Sequence, residues 1–362
     1  MNYFLRIIRE TDWFLFFFIA PLLVLGLLII KSFGFGADYF FPRQLVWIFI
    51  SIFVFFVFSR IDWRIFKNSL LISVIYLFGV LSLALLLLSG GGGKIESWFR
   101  FYSFSIQPSE PMKIILILIL AQYFSKRHIE ISHFKHIIVS GIYALLPISL
   151  VFFQPDLGSA IIFVLIWFGL ILSSEISKKH LLLLFLVFIL VAGLGWSFLL
   201  APYQKARIFS FLDPYFDPMG RSYQAYQSML AVGSGGLWGK GIGQGVQTRL
   251  EFLPEYQTDF MFAALSEELG LVGVFFVLLL FILIIWEILS LARTGESNFE
   301  RFFALGFCFF LMGHIFIHIG SNIGLFPITG LPLPFLSYGG SHLVSVFAGL
   351  GIWQGMRRYS LH

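Results

Sequence analysis

The chain has 362 residues, of which 59% are hydrophobic and only 12% charged, whereas a soluble domain carries about 25% charged residues. A soluble fold of this length has too little interior to hide so much apolar side chain, so the remainder must face lipid. Soluble enzyme, nucleic-acid binder and secreted disulfide scaffold are thereby excluded. The formal charge of +5 belongs with loop orientation and not with a nucleic-acid partner. The single Cys308 cannot form an internal disulfide and lies in an apolar run, where it reads as packing.

A helix needs about 20 apolar residues to cross a bilayer. Such runs are predicted near 13–33, 43–59, 69–89, 108–125, 136–153, 158–174, 180–199, 259–290, 301–321 and 337–356. The expected fold class is an all-α integral membrane protein of about ten transmembrane helices, a single polytopic domain over 1–362. The first run follows Arg6 and Arg9, as a signal peptide would. It lacks a small-residue cleavage site and is long enough to span, so it counts as a helix. Ten spans put both termini on one side. With the N-terminus in the cytoplasm, fourteen of the 24 Lys and Arg fall in inner segments and four in short outer loops, the bias that sets orientation. One extracytoplasmic loop is long, about 200–258. Its Gly, Pro, Tyr and Trp238, with turns at Asp213-Pro214 and Asp217-Pro218, do not have the composition of disorder. A second outer loop opens at Gly90–Gly93 and ends at Gln107-Pro108. No repeat of fixed period is present, which removes one pointer to a secondary transporter.

Ionisable groups at membrane depth are costly and mark functional sites. In this topology Glu110, Asp156, Asp259 and His318 fall at the outer ends of their spans, with Lys113 one turn below Glu110 on the same face. Each has a structural alternative. Glu110 and Lys113 form a self-neutralising pair, or a tether for Asp156. Asp156 caps the sixth span, and Asp259, beside Thr258, caps the eighth. Glu267 and Glu268 lie about 12 Å deeper along a continuous helix and are expected to pair within the bundle. His314 reads as a satisfied core histidine. Its spacing of four from His318 resembles a metal pair, without the Glu-rich helix that would support one.

Nucleotide motifs fail. Before Gly239-Lys240-Gly241 the phosphate-loop glycine is replaced by Ser234, and Gly241 stands where Ser or Thr is required. Gly241, Gly243 and Gly245 follow no strand. No Gly-x-Ser-x-Gly elbow occurs. An enzyme of this kind, on an outer face without ATP, needs a substrate that is already activated.

Four sets of residues are specific enough to carry a resemblance. They are Gln107-Pro108-Ser109-Glu110 with Lys113, Gln154-Pro155-Asp156-Leu157-Gly158, Phe252-Leu253-Pro254-Glu255 leading to Thr258-Asp259-Phe260, and Pro327 through Phe335 followed by Ser337-Tyr338-Gly339-Gly340-Ser341. In order and spacing they resemble the SEDS family of bacterial shape, elongation, division and sporulation proteins (FtsW/RodA/SpoVE) over nearly the whole chain. The short termini and Gly245-Val246-Gln247-Thr248 look more like the elongation branch than the division branch. The chain departs from the family pattern at Gln257, where His is usual, at His318, where Asn is usual, and at Glu96, where a basic residue is usual.

The resemblance implies a GT-C-like peptidoglycan glycosyltransferase that extends glycan strands from lipid II on the outer face of the bacterial cytoplasmic membrane, with inversion. It implies Asp259 as the base. Glu110, Lys113 and Asp156 would shape the cavity, and Gln257 and His318 would act there chemically or by hydrogen bonding. Arg207, Lys240 and Arg249 would be diphosphate contacts or solvated loop charges. Ser337 and Tyr338 would form a turn at the mouth, and Trp98 a headgroup-level anchor or a partner contact. Diphosphate stabilisation would fall to cations, with Mg2+ or Mn2+ as the possible metal and no nucleotide cofactor. The implied partners are lipid II and the growing strand, a class B penicillin-binding protein and other elongation-complex membrane proteins. A lipid II flippase, a division-type paralogue and a non-catalytic scaffold are the alternatives.

Overall fold

A computed structural model describes residues 11–32, 34–89, 97–101, 104–126, 134–174, 176–199, 204–205, 209, 211, 222–250, 252–253 and 255–360. Glu96, Gly90–Gly93, Arg207 and both Asp-Pro turns lie outside them. The helices are α1 (Trp13–Ser32), α2 (Gly34–Arg60), α3 (Ser69–Ser89), α4 (Ser109–Lys126), α5 (Phe134–Phe153), α6 (Leu157–Leu172), α7 (Lys178–Leu194), α8 (Tyr223–Ser234), the single turn α9 (Val246–Arg249), α10 (Met261–Thr294), α11 (Asn298–Asn322) and α12 (Gly340–Ser360). Strands β1 (Phe99–Phe101) and β2 (Phe104–Ile106) pair antiparallel. A helix covers each of the ten expected runs. Among the described residues, seven helices are long and apolar enough to cross a membrane. Of the other three, α4 carries Glu110, Lys113 and Lys126, α6 is shorter, and α12 is more polar.

Burial orders the bundle. Helix α11 packs against α10, α4 and α6, and α12 lies along α2. The most apolar stretch of α11 is 67% buried, whereas that of α7 is wholly unburied. The outer face carries large apolar groups such as Phe17, Phe49, Phe78 and Leu88. An apolar face of this extent is a lipid contact and not a water one. Away from the β-hairpin, Arg357 of α12 pairs with Asp12 and with Glu287 of α10.

The span expected at 259–290 is not one helix. Gly270 has φ 64° and ψ −166°, a region that is essentially glycine's alone. The break orphans two carbonyls on one side and two N–H groups on the other. The loop before the turn that opens α10 satisfies all four. Lys240 N and Gly241 N donate to the carbonyls of Glu267 and Glu268 at 3.0 and 2.9 Å, and Leu271 N and Val272 N donate to those of Gly236 and Leu237 at 2.9 and 3.1 Å. Irregular backbone in a membrane bundle is tolerated only when its polar groups are met in this way. The side chains reinforce the seam. Glu267 Oε1 accepts from Lys240 Nζ at 2.7 Å and from Gln247 N at 3.1 Å. Glu268 Oε1 accepts from Ser32 Oγ at 3.0 Å and from Gly243 N at 2.9 Å. The glycine-rich run that imitated a nucleotide loop is the clasp of a broken helix. From Leu271 to Thr294 the helix still rises about 36 Å, enough to cross by itself.

A Cβ on Gly270 would stand 2.2 Å from Gly239 N. Gly270→Ala is therefore expected to destabilise the purified protein in detergent by about 1–3 kcal/mol from the backbone conformation alone, with the clash added. An unchanged thermal transition would mean that the clasp contributes nothing to stability.

Candidate functional site

The loop that joins α11 to α12 draws the site together. Ser337 Oγ donates to Thr258 O at 2.8 Å and accepts from Leu333 N at 3.0 Å. Tyr338 N donates to Gln257 O at 2.7 Å, and Gln44 Nε2 donates to Ser337 O at 3.3 Å. These bonds sew the loop to the turn before α10. In that turn Thr258 N and Asp259 N both donate to Glu255 O, at 3.1 and 3.0 Å. Gln257 Nε2 donates to Glu255 Oε2 at 3.2 Å. Asp259 is half-buried, and its Oδ2 lies 3.6 Å from where a Cβ on Gly330 would stand.

Asp156 lies on the other flank of the same loop. It caps α6, accepting from Ser159 N at 2.9 Å through Oδ1, while Oδ2 accepts from Gln107 Nε2 at 2.8 Å. Two residues on, a Cβ at Gly158 would meet Thr329 O at 2.8 Å, so only glycine lets the loop lie this close. Thr329 thus touches the start of α6 while Gly330 stands beside Asp259. The structure joins these two acids through one strand of loop.

Glu110 and Lys113 lie inside the bundle, 2% and 0% exposed. Lys113 Nζ donates to Glu110 Oε1 at 2.6 Å and lies 3.3 Å from His314 Nε2. His342 Nδ1 is 2.9 Å from Glu110 Oε2. His314 Nδ1 is 3.1 Å from Pro332 O, which links the network to the loop. Because a carbonyl only accepts, Nδ1 of His314 carries the proton and Nε2 accepts from Lys113. The result is one carboxylate paired with one ammonium beside a neutral His314 ring, an arrangement of the kind a bundle interior can hold. Ligand atoms of Glu110, His314 and His342 all lie within 4.8 Å of one another, and this buried group could hold a metal ion. Lys113 stands among them as a cation already present.

The remaining expected residues disperse. Lys240 pairs with Glu267 in the clasp, and Arg249 is exposed at the end of α9. His318 is 1% exposed and bonded to backbone on both sides. Two residues not singled out from the sequence join the site. His342, an ionisable group inside the expected span 337–356, was open to the rule that drew attention to His318. Arg43 lies over the Tyr39 ring at 3.6 Å. With Trp47, Ser105 and Tyr338 it lines a hollow of about 340 Å³ beside the loop. The Tyr338 side chain is half-buried there, and burial raises its pKa.

Fold and site together define a polytopic membrane protein with an acidic loop junction standing over a buried, ion-paired core. The chain matches the FtsW/RodA/SpoVE family of cell cycle proteins over residues 11–361 and belongs to it. It is 36% identical to the stage V sporulation protein E of Bacillus subtilis (strain 168) over 354 residues, covering 94% of each chain. It is 40% identical to the peptidoglycan glycosyltransferase MrdB of Escherichia coli (strain K12) over 260 residues, covering 71% of this chain and 69% of that one. A solved structure of a peptidoglycan synthase complex that coordinates polymerization and crosslinking contains a similar chain. The TM-score is 0.82 and the identity 29%, over 97% of this chain and 98% of that one.

Removing one member of a buried pair leaves an uncompensated charge, typically at a cost of about 3–5 kcal/mol. Lys113→Met is expected to lose stability on that scale in detergent unfolding, and Lys113→Met with Glu110→Gln to recover part of it. A double variant no better than the single one would show that the pair is not what balances the core.

Proposed function

We propose that this chain polymerises lipid II into glycan strands at the outer face of the bacterial cytoplasmic membrane during elongation, with Asp259 as general base. It is a peptidoglycan glycosyltransferase, as its family and its MrdB relative indicate. The observation that carries the assignment of the base is the half-buried Asp259 carboxylate beside Gly330, where the loop meets the turn before α10. Lipid II arrives activated. The acceptor hydroxyl oxygen attacks the donor's anomeric carbon, the new C–O bond forms as the bond to diphosphate breaks, and inversion follows from that displacement. Asp259 takes the hydroxyl proton, and the diphosphate leaves with the bonding electrons on its polyprenyl carrier. No paired acid is required for so good a leaving group.

Arg43, in its hollow beside the loop, is the cation assigned here to meet diphosphate. A Mg2+ or Mn2+ would supply further charge neutralisation there when bound. Such ions take oxygen donors, and the half-buried Asp259 carboxylate would hold one, since both oxygens of Asp156 already accept hydrogen bonds. The two imidazoles of the Glu110 group suit zinc-like ions instead. Both termini would lie in the cytoplasm, as the Lys and Arg bias supports. The likeness to a synthase complex supports a class B penicillin-binding protein as partner, within the elongation complex.

In detergent, where no bilayer exists to be crossed, strand formation from lipid II by the purified chain with its partner separates a polymerase from a flippase. Asp259→Ala is expected to lower that rate by at least 100-fold without loss of fold; a variant that still polymerises removes Asp259 as the base. Arg43→Ala is expected to raise KM for lipid II more than it lowers kcat, and a KM left unchanged would take Arg43 out of the substrate site. A rate unmoved by EDTA would take the metal out of this reading.

A further inference from the structure

The helix that follows Asp259 begins without a cap of its own. Phe260, at the N-cap position, offers no side-chain acceptor, so the first-turn N–H groups need partners from elsewhere. Helix α11 supplies them. Phe262 N donates to His318 Nε2 at 3.4 Å and Ala263 N to Asn322 Oδ1 at 3.1 Å. Asn322 Nδ2 donates in turn to the backbone carbonyl of Asp259 at 3.0 Å and to that of His318 at 2.8 Å. On its other side His318 Nδ1 lies 2.7 Å from Leu331 O, the residue next to Gly330.

Proton accounting settles what His318 can do. Leu331 O accepts only, so Nδ1 carries the hydrogen. Phe262 N–H donates only, so Nε2 presents its lone pair. The ring is the neutral Nδ1–H tautomer with both nitrogens engaged, and it is 1% exposed. It can neither bind substrate nor shuttle a proton without giving up one of these bonds. Its chemistry is that of a spacer with a donor at one edge and an acceptor at the other.

We infer that His318, with Asn322, is a positioning residue for Asp259. It caps the Asp259 helix from the neighbouring helix, and through Leu331 it holds the Gly330 loop at a set distance from the carboxylate. This rests on the reading of Asp259 as base. Catalytic geometry of that kind is sensitive to displacements of about 1 Å, so the effect belongs in turnover and not in substrate affinity.

The test measures kcat and KM for lipid II with the full-length purified chain and its partner. His318→Phe fills comparable volume and loses both bonds; it is expected to lower kcat by about 10- to 100-fold and leave KM within about twofold. His318→Asn restores a donor and an acceptor, and is expected to recover most of that loss. His318→Gln, which reaches Phe262 N but has no donor at the Nδ1 position, should fall between them. If His318→Phe fails to fold, the Asn and Gln variants carry the same comparison. A normal kcat in His318→Phe overturns the inference, as does a loss confined to KM, or an Asn variant no better than Gln. Asp259→Ala, run alongside, separates the two claims. An inactive Asp259→Ala with a normal His318→Phe sinks only the positioning role, whereas an active Asp259→Ala sinks the assignment of the base itself.

Discussion

Everything at this end of the bundle depends on how one irregular stretch of backbone, Thr329 to Tyr338, satisfies its polar groups inside a membrane protein. Hydrocarbon offers no hydrogen bonds, so each carbonyl and N–H must find a partner in the protein. The loop finds them on several elements. Pro332 O and Leu331 O are met by His314 and His318 of α11, and Tyr338 N meets Gln257 O. Ser337 reaches Thr258. Because these bonds divide between α11 and the turn before α10, and Thr329 lies against Gly158, the loop sets the spacing of the start of α6, the turn before α10, and α11. Asp156 and Asp259 take their places from that arrangement.

The same requirement explains the second irregular feature. A helix broken at Gly270 would be untenable in lipid, yet the glycine-rich loop clasps the break and turns four orphaned groups into an attachment. The clasp lies on the helix that begins just after Asp259. One long element thereby starts beside the acid and carries the anchor of the loop around it. Function and fold share their supports here, since the groups that hold backbone in register also place the carboxylate.

Much of this was legible in the residues. Composition demanded lipid contact, and the apolar runs placed the helices. Asp156 proved to be the helix cap its position suggested, and Glu110 with Lys113 the ion pair their spacing suggested. The further partners of that pair were not legible. An i, i+3 relation shows that two side chains can meet, but not which other helices close over them, and His314 and His342 come from positions far along the chain. Lys240 looked like a loop charge open to a ligand, whereas its partner Glu267 is reached only across the clasp. His318 looked like a cavity group because it is ionisable and near an expected helix end. Its bonds to Phe262 and Leu331 turn it into a brace.

What the sequence determined alone was the class of solvent and the family of chemistry. The excess of apolar side chain has no other home than lipid, and four motifs carry the likeness whatever the packing between them. What only the tertiary structure decided was which groups are spent on each other. Helices brought side by side let a His on one cap the start of another, and a loop can satisfy a broken backbone only once it has folded back upon it. Those pairings join residues far apart in the chain, and no local periodicity records them.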